Sequence, residues 1–189
     1  MEAVQQANLD KAFSAQSSIF DDIEKPNGIL HWMRNRVRKH VLDTIKPHSR
    51  ILELNAGTGM DAFFFASKGH SVLATDNAEG MIAQINAKIN HVGEGSNVKA
   101  RQLSFENLNE MQGEKFDYIF SNFGGLNCTN QLDKVIESFD PIINKNGYAT
   151  LVIMPPVCPC EILALLNRTF QTCVPQVQQK RSYQPCGRA

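Results

Sequence analysis

The stretch RILELNAGTGMDAFFFASKG, residues 50–69, decides the fold of this chain. A short apolar run, Arg50 to Leu54, leads into a turn with two glycines, and an apolar segment, Met60 to Lys68, follows at once. The pattern predicts a strand, a tight turn and a helix that Gly69 ends. Such a turn is where an open α/β sheet binds a ligand, because glycine lets a ligand approach the backbone closely.

Further strands and helices alternate along the chain on either side of this stretch. Apolar runs predict strands at residues 50–54, 71–75, 98–103, 116–120 and 148–154. Apolar stripes predict helices at residues 29–45, 60–68, 81–89, 132–139 and 161–170. Several of the strands are apolar almost throughout, as strands covered on both sides are. The expected fold is therefore a doubly wound, mainly parallel α/β sheet with helices on both faces.

Three segments are distinguished by composition. Residues 1–26 are polar with scattered aromatic side chains, and they are expected to form a short helix and a loop. Residues 27–172 are expected to form the α/β domain. Residues 173–189 have no apolar periodicity and are expected to be a disordered tail.

The overall composition narrows the classes of partner. The chain has 19 basic and 19 acidic residues and a formal net charge of zero, so binding of nucleic acid is not expected and self-association into a homo-oligomer stays open. No apolar run approaches the ~18 residues of a membrane span, and the N-terminus lacks the order of a secretory signal. A cytoplasmic protein with no membrane partner is expected. Its five cysteines are expected to be free thiols, and no metal site is predicted.

Two acidic residues near the turn bear on the kind of ligand. Asp76 follows the second strand 19 residues after Gly57, where an acidic side chain can hydrogen-bond the hydroxyls of a ribose. The spacing Gly57, Gly59, Ala62 also fits a dinucleotide fingerprint, so an NAD-dependent oxidoreductase stays an alternative. Glu53 would repel a pyrophosphate, but it would attract the ammonium of a cofactor that has no phosphate.

These motifs together resemble the class I (Rossmann-like) S-adenosylmethionine-dependent methyltransferase family over about residues 30–154. Ile51–Gly59 is similar to the first motif of that family, Ala74–Asn77 to the acid that holds the ribose, and Phe116–Leu126 to the fourth strand and the loop beside the transferred methyl. The resemblance implies S-adenosyl-L-methionine as the cofactor. It places the following residues at that cofactor: Glu53, Asn55, Ala56, Gly57, Gly59, Asp76, Asn77, Met81, Ser104, Phe105, Asn122 and Phe123.

The sequence departs from the family pattern at three places. Asn55 replaces the first glycine, at a position not expected to demand a positive φ. Ser104 stands where an aspartate usually meets the adenine amine, and Phe105 is expected to stack on the adenine instead. Five strands are predicted where the family has seven, so the C-terminal antiparallel hairpin is expected to be missing. These departures leave open a non-catalytic S-adenosylmethionine-binding module or a truncated fragment, and the native protein could extend beyond residue 189.

The resemblance implies methyl transfer, and a small-molecule acceptor is expected because the loop at Asn122 lacks the motif of the nucleic-acid amino-methylating branch. Asn127 and Cys128 follow on that loop and either face the acceptor or satisfy the backbone of a turn. Trp32, on the first long helix, is either a core side chain or a substrate contact. No catalytic base is predicted. A basic run on the same helix is predicted to be a solvated face, with an anionic substrate or an acidic partner as the alternative: Arg34, Arg36, Arg38, Lys39 and His40.

Overall fold

The predicted strand at residues 50–54 lies at the centre of a five-stranded sheet. The computed structural model describes residues 2–24, 26–93 and 95–155. Its strands are β1 (Arg50–Leu54), β2 (Ser71–Asp76), β3 (Val98–Gln102), β4 (Phe116–Ser121) and β5 (Ile143–Leu151). Their order across the sheet is β3-β2-β1-β4-β5, and all four pairings are parallel. The predicted parallel α/β sheet is confirmed.

Six α-helices and two 3₁₀ helices accompany the strands in the described residues. The α-helices are α1 (Glu2–Gln16), α2 (Phe20–Glu24), α3 (Gly28–Thr44), α4 (Met60–Ser67), α5 (Glu79–Val92) and α6 (Leu132–Glu137). The 3₁₀ helices span Phe105–Met111 and Gly125–Cys128. Residues up to Ile153 form one compact unit. The domain limits proposed from composition stay predictions.

The sheet is covered by helices on both faces, as the sequence predicted. Alternate residues of a strand point to opposite faces. Ile51 packs in a cluster with residues of α3, α4 and α5, such as Val41 and Phe65. Leu52 packs in a second cluster with residues of the Phe105–Met111 helix and of α6, such as Val135. The doubly wound arrangement follows from this alternation.

The last described strand begins earlier than the sequence predicted. β5 starts at Ile143, which pairs with Phe116, and its register against β4 shifts before Tyr148 pairs with Tyr118. Asn146 has a φ of 65° within this irregular part of the strand. The predicted helix at 161–170, the tail at 173–189, the place of a C-terminal hairpin and four of the cysteines lie outside the described residues. Within the described part of the chain, no helix is long and apolar enough to cross a membrane.

The N-terminal segment forms two helices where a short helix and a loop were expected, and α1 packs on the start of α5. The Gly80 N–H donates a hydrogen bond to Ser14 Oγ over 3.1 Å. A Cβ atom at position 80 would lie 2.7 Å from the Cα of Ser14, which is closer than real contacts allow. Glycine at position 80 therefore lets α1 approach α5.

We expect the variant Gly80→Ala to lose about 1–3 kcal/mol of stability, because the added methyl meets the backbone of α1. Gly28→Ala is the matched control, since a Cβ there would meet nothing within 4 Å. Urea unfolding of both variants measures the difference. Equal stability of the two variants would contradict the close packing of α1 on α5.

Candidate functional site

The Gly-rich turn joins β1 to α4 at the carboxyl edge of the sheet. Gly57 has a φ of 56° and Gly59 a φ of 81°, a left-handed region that side chains other than glycine rarely adopt. The Ala56 N–H donates to the carbonyl of Thr75 on β2 over 2.9 Å. The turn is thus held against the end of the neighbouring strand.

Asp76 lies directly against this turn, as the sequence predicted. Its Oδ2 accepts a hydrogen bond from the Gly57 N–H and its Oδ1 from the Ala78 N–H, each over 2.9 Å. Burial raises the pKa of Asp76 above its ordinary value, although these backbone N–H groups act to lower it. A carboxylate oxygen can accept more than one hydrogen bond, so both oxygens of Asp76 can still accept from a ligand.

Glu53 is buried under the same edge, with 3% of its surface exposed. Its Oε2 atom has no hydrogen-bond partner among the described residues. Burial is the main reason why the pKa of Glu53 is raised well above its usual range, and the neighbouring Asp61 carboxylate raises it further. The Arg34 and Arg38 guanidinium groups act in the opposite direction. An unsatisfied buried oxygen is costly, so this atom marks a place where a hydrogen-bond donor would be stabilised.

Asn55 connects the ends of β1 and β4. Its Nδ2 donates to the Asn122 carbonyl over 3.1 Å, and its Oδ1 accepts from Ser121 Oγ over 2.7 Å. Its φ is 47°, so the expectation that this position would not demand a positive φ is corrected. Asparagine tolerates this conformation better than most side chains, which explains how it replaces a glycine. Its side chain fills the space above Gly125, where a Cβ would lie 2.1 Å from Nδ2.

The N-terminal helices cover the turn and the acid, which the sequence did not indicate. Asp21 on α2 accepts hydrogen bonds from Thr58 Oγ1 and from Lys88 Nζ, the latter over 2.7 Å. The Phe20 ring lies 4.0 Å from where a Cβ of Gly57 would be. Asp10 on α1 accepts from Asn77 Nδ2 over 2.5 Å. These contacts join residues 37 to 67 positions apart, and no local sequence pattern signals them.

Further residues that the family resemblance places at the cofactor have contacts within the protein. Ser104 caps the Phe105–Met111 helix, and its Oγ accepts from the Glu106 N–H over 3.2 Å. Phe105 and Met81 are buried among core side chains. Roles of Ser104, Phe105, Asn77 and Met81 toward a cofactor stay predictions.

The loop after β4 carries the remaining predicted residues. Asn122 is buried and donates from Nδ2 to Asp61 Oδ2 over 3.0 Å. Phe123 has a φ of 53°. Asn127 and Cys128 are exposed at the end of the Gly125–Cys128 helix. Partial burial of the thiol raises the pKa of Cys128, and the carboxylates of Asp10 and Asp76 act in the same direction.

The basic run on α3 differs from its predicted solvated face. Arg34 has 7% of its surface exposed and forms an ion pair with Asp61. Arg38 Nε also contacts Asp61, over 2.6 Å. Arg36, Lys39 and His40 are exposed as expected. The buried Asp61 carboxylate explains the difference, because it turns two of the guanidinium groups inward.

Trp32 is exposed over 64% of its surface, so it is not a core side chain. The Arg36 guanidinium lies 5.9 Å from the centre of its ring. A role for Trp32 near the substrate stays a prediction. In the described residues, no group of three or more His, Cys, Asp or Glu side chains is arranged to hold a metal ion.

Comparisons with known proteins bear on this site. The family model described as "Methyltransferase domain" matches residues 51–147, which is just over half of the 189-residue chain. No protein of curated function matches the sequence. The chain belongs to the methyltransferase-domain family, and this confirms the resemblance drawn from Ile51–Gly59, Ala74–Asn77 and Phe116–Leu126.

Solved structures share the fold. A candidate sarcosine dimethylglycine methyltransferase from Galdieria sulphuraria is 19% identical with a TM-score of 0.56, over 74% of this chain and 56% of that one. A TehB-like SAM-dependent methyltransferase from Corynebacterium glutamicum is 14% identical with a TM-score of 0.57, over 82% of each chain. Phosphoethanolamine N-methyltransferase 1 from Haemonchus contortus, solved with phosphoethanolamine and S-adenosylhomocysteine, is 16% identical with a TM-score of 0.64, over 83% of this chain and 34% of that one. The chain thus spans little more than half the length of the first of these structures.

We expect Gly125→Ala to destabilise the protein by about 1–3 kcal/mol, because its methyl would overlap the Asn55 side chain. The same substitution in an Asn55→Gly background should cost much less, since the overlapping side chain is gone. Thermal unfolding of the wild type, both single variants and the double variant gives the coupling between the two positions. Additive effects would show that Asn55 does not fill the space above Gly125.

We expect the stability of Glu53→Gln, relative to the wild type, to increase with pH. The raised pKa of Glu53 means that the folded state disfavours the carboxylate, so the wild type loses stability as the pH rises from the ordinary pKa of a glutamate through the folded-state pKa. Unfolding free energies at about pH 5 and about pH 8 measure the change, because an unperturbed Glu titrates near 4.3. A difference between variant and wild type that does not vary with pH would contradict the buried state of Glu53.

Proposed function

We propose that this chain binds S-adenosyl-L-methionine at the carboxyl ends of β1, β2 and β4 and transfers its methyl group to a small-molecule acceptor. One observation carries the proposal. The Asp76 carboxylate is held at the Gly-rich turn by the N–H groups of Gly57 and Ala78, beside a buried Glu53 that has an unpartnered oxygen.

The residues at this edge fit the cofactor group by group. Asp76 can accept from both hydroxyls of a ribose, since each of its oxygens keeps a free acceptor position. The unpartnered Oε2 of Glu53 suits an ammonium group. The buried Glu53 carboxyl group beside the turn disfavours the pyrophosphate of NAD, which weighs against the oxidoreductase alternative.

Bound S-adenosylmethionine would supply an electrophilic methyl group on a sulfonium, and the protein's task is to hold donor and acceptor in line. Asp76 and the turn at Gly57 fix the ribose side. Asn122 and Phe123 shape the acceptor side, because both lie on the loop after β4. Phe20 and Asp21 lie against the turn from the side of α2. An acceptor that is already unprotonated at the working pH needs no general base.

A small acceptor is supported by two observations. The formal net charge of zero gives no electrostatic preference for a polyanion such as nucleic acid. Two solved structures of the same fold are named for small acceptors, phosphoethanolamine in one and sarcosine and dimethylglycine in the other. A cytoplasmic location, the absence of a membrane partner and a homo-oligomeric state remain part of this proposal.

A second candidate function is binding of S-adenosylmethionine without catalysis. Asn55 favours it, because the side chain fills the space above Gly125 and bonds to the Asn122 carbonyl beside the proposed acceptor loop. Turnover separates the two candidates: mass spectrometry of S-adenosylhomocysteine formed with a panel of small amines, carboxylic acids and thiols should detect product for the enzyme. Tight binding of the cofactor with no product from any acceptor would favour the binding module.

We expect S-adenosylhomocysteine to bind the wild-type chain in titration calorimetry and NAD to give no heat. Asp76→Asn should weaken S-adenosylhomocysteine at least tenfold, about 1.4 kcal/mol, because it removes the charged acceptor for the ribose. Asp133→Asn, at an exposed position on α6, is the matched control and should bind as the wild type does. Folded protein that takes up no S-adenosylhomocysteine at about millimolar ligand, far above the usual affinity of a cofactor, would overturn the proposal.

A further inference from the structure

The Asp61 carboxylate joins three elements around the loop after β4. It lies in the first turn of α4 with 2% of its surface exposed. Its Oδ1 accepts from Arg38 Nε over 2.6 Å, and its Oδ2 accepts from Arg34 Nη1 and from Asn122 Nδ2. The carboxylate therefore ties α3 and α4 to the loop.

This network goes beyond what packing of the helices requires. Well-packed apolar side chains hold two helices together at least as well as a buried ion pair, whose charges must first lose their water. Arg38 Nη2 also donates to the carbonyl of Met60 over 2.8 Å, so Arg38 contacts both Asp61 and the residue before it at the start of α4. A buried network of this kind is better suited to holding the chain in one conformation. The segment that it contacts besides the helices is the loop after β4, through Asn122.

The Asn122 side chain connects Asp61 to the backbone of Phe123. The two ends of the Asn122 amide are both engaged: Nδ2 donates to Asp61, and Oδ1 accepts from the Phe123 N–H over 2.9 Å. Phe123 adopts a φ of 53°, which is unfavourable for a bulky side chain and persists only where its surroundings hold it. The Arg34 guanidinium lies 4.4 Å from the centre of the Phe123 ring, so it contacts both Asp61 and the ring.

We propose that Arg34 and Asp61 are positioning residues for methyl transfer: through Asn122 they hold Phe123 in its left-handed conformation and so fix the loop beside the transferred methyl. This inference rests on the proposed function, which places the methyl group at this loop. The geometry matters because a displacement of about 1 Å at a reacting centre can cost about 100-fold in rate. Lysine is a poor replacement for Arg34 here, since its compact ammonium lacks the planar fork with which a guanidinium stacks on a ring and donates to a carboxylate.

The test compares two ligands that differ only at the sulfur, where S-adenosylmethionine carries a methyl group and a positive charge that S-adenosylhomocysteine lacks. S-adenosylmethionine and S-adenosylhomocysteine share the ribose and the amino acid, so the ratio of their affinities reports the surroundings of the sulfonium methyl. In Arg34→Lys and Asp61→Asn we expect S-adenosylhomocysteine to bind within about threefold of the wild type and the preference for S-adenosylmethionine to fall by about fivefold or more, as expected when contacts near one group are displaced. A role in overall stability alone would change both affinities together.

Arg36→Lys is the matched control, because Arg36 is exposed on the same helix and contacts Trp32. It should leave the ratio unchanged. If Asp61→Asn does not fold, Asn122→Ser breaks the same chain of contacts at the loop and leaves both ion pairs of Asp61 in place. A wild-type ratio in the folded variants would overturn the proposal.

A second measurement separates failure of this inference from failure of the proposed function. The φ of Phe123 is measured by NMR scalar couplings in the ligand-free wild type and variants. We expect Phe123 to leave the left-handed region in Arg34→Lys and Asn122→Ser and to stay there in Arg36→Lys. An unchanged φ in all variants would overturn the inference even if the wild type binds the cofactor, whereas a wild type that binds neither ligand would overturn the proposed function.

Discussion

The hydrogen bond from the Gly57 N–H to the Asp76 carboxylate is the interaction on which the site depends. It forms because β1 and β2 are parallel neighbours, so that a turn and an acid 19 residues apart in sequence meet at one edge of the sheet. The same bond fixes the carboxylate and leaves oxygen positions open to a ligand. Glycine adopts the left-handed conformation at position 57 at little cost, which lets the Gly57 N–H point at the acid.

A second set of constraints comes from charge. Glu53 and Asp61 are both buried near this edge, and Arg34 and Arg38 from α3 face them. Asp61 is fully engaged by its partners, whereas Glu53 keeps an oxygen without a partner among the described residues. The two buried acids thus have different roles. Asp61 holds α3, α4 and the loop after β4 together, whereas Glu53 is suited to a positively charged ligand. Such unmet polar groups are retained at functional sites because a ligand satisfies them.

Sequence patterns predicted the parts of this molecule that depend on local order and on the parallel sheet. The strand at Arg50–Leu54, the turn at Gly57 and the nearness of Asp76 all follow from apolar periodicity and from the rule that carboxyl ends of parallel strands meet. Burial of Arg34 was not predictable, because a charged helix position is solvated unless a buried partner is known, and nothing marked Asp61 as that partner. The covering of the turn by α2 was missed because Asp21 and Thr58 are 37 residues apart and share no motif. The positive φ of Asn55 is set by contacts with β4, which its own neighbours in sequence do not reveal.

The most direct test of the account is a crystal structure of this chain grown with S-adenosylhomocysteine. The account predicts the ligand at the carboxyl ends of β1, β2 and β4, with its ribose hydroxyls within hydrogen-bond distance of the Asp76 carboxylate, about 2.5–3.0 Å, and its ammonium toward Glu53. A ligand bound elsewhere on the molecule, or bound at this edge with its ribose turned away from Asp76, would contradict it.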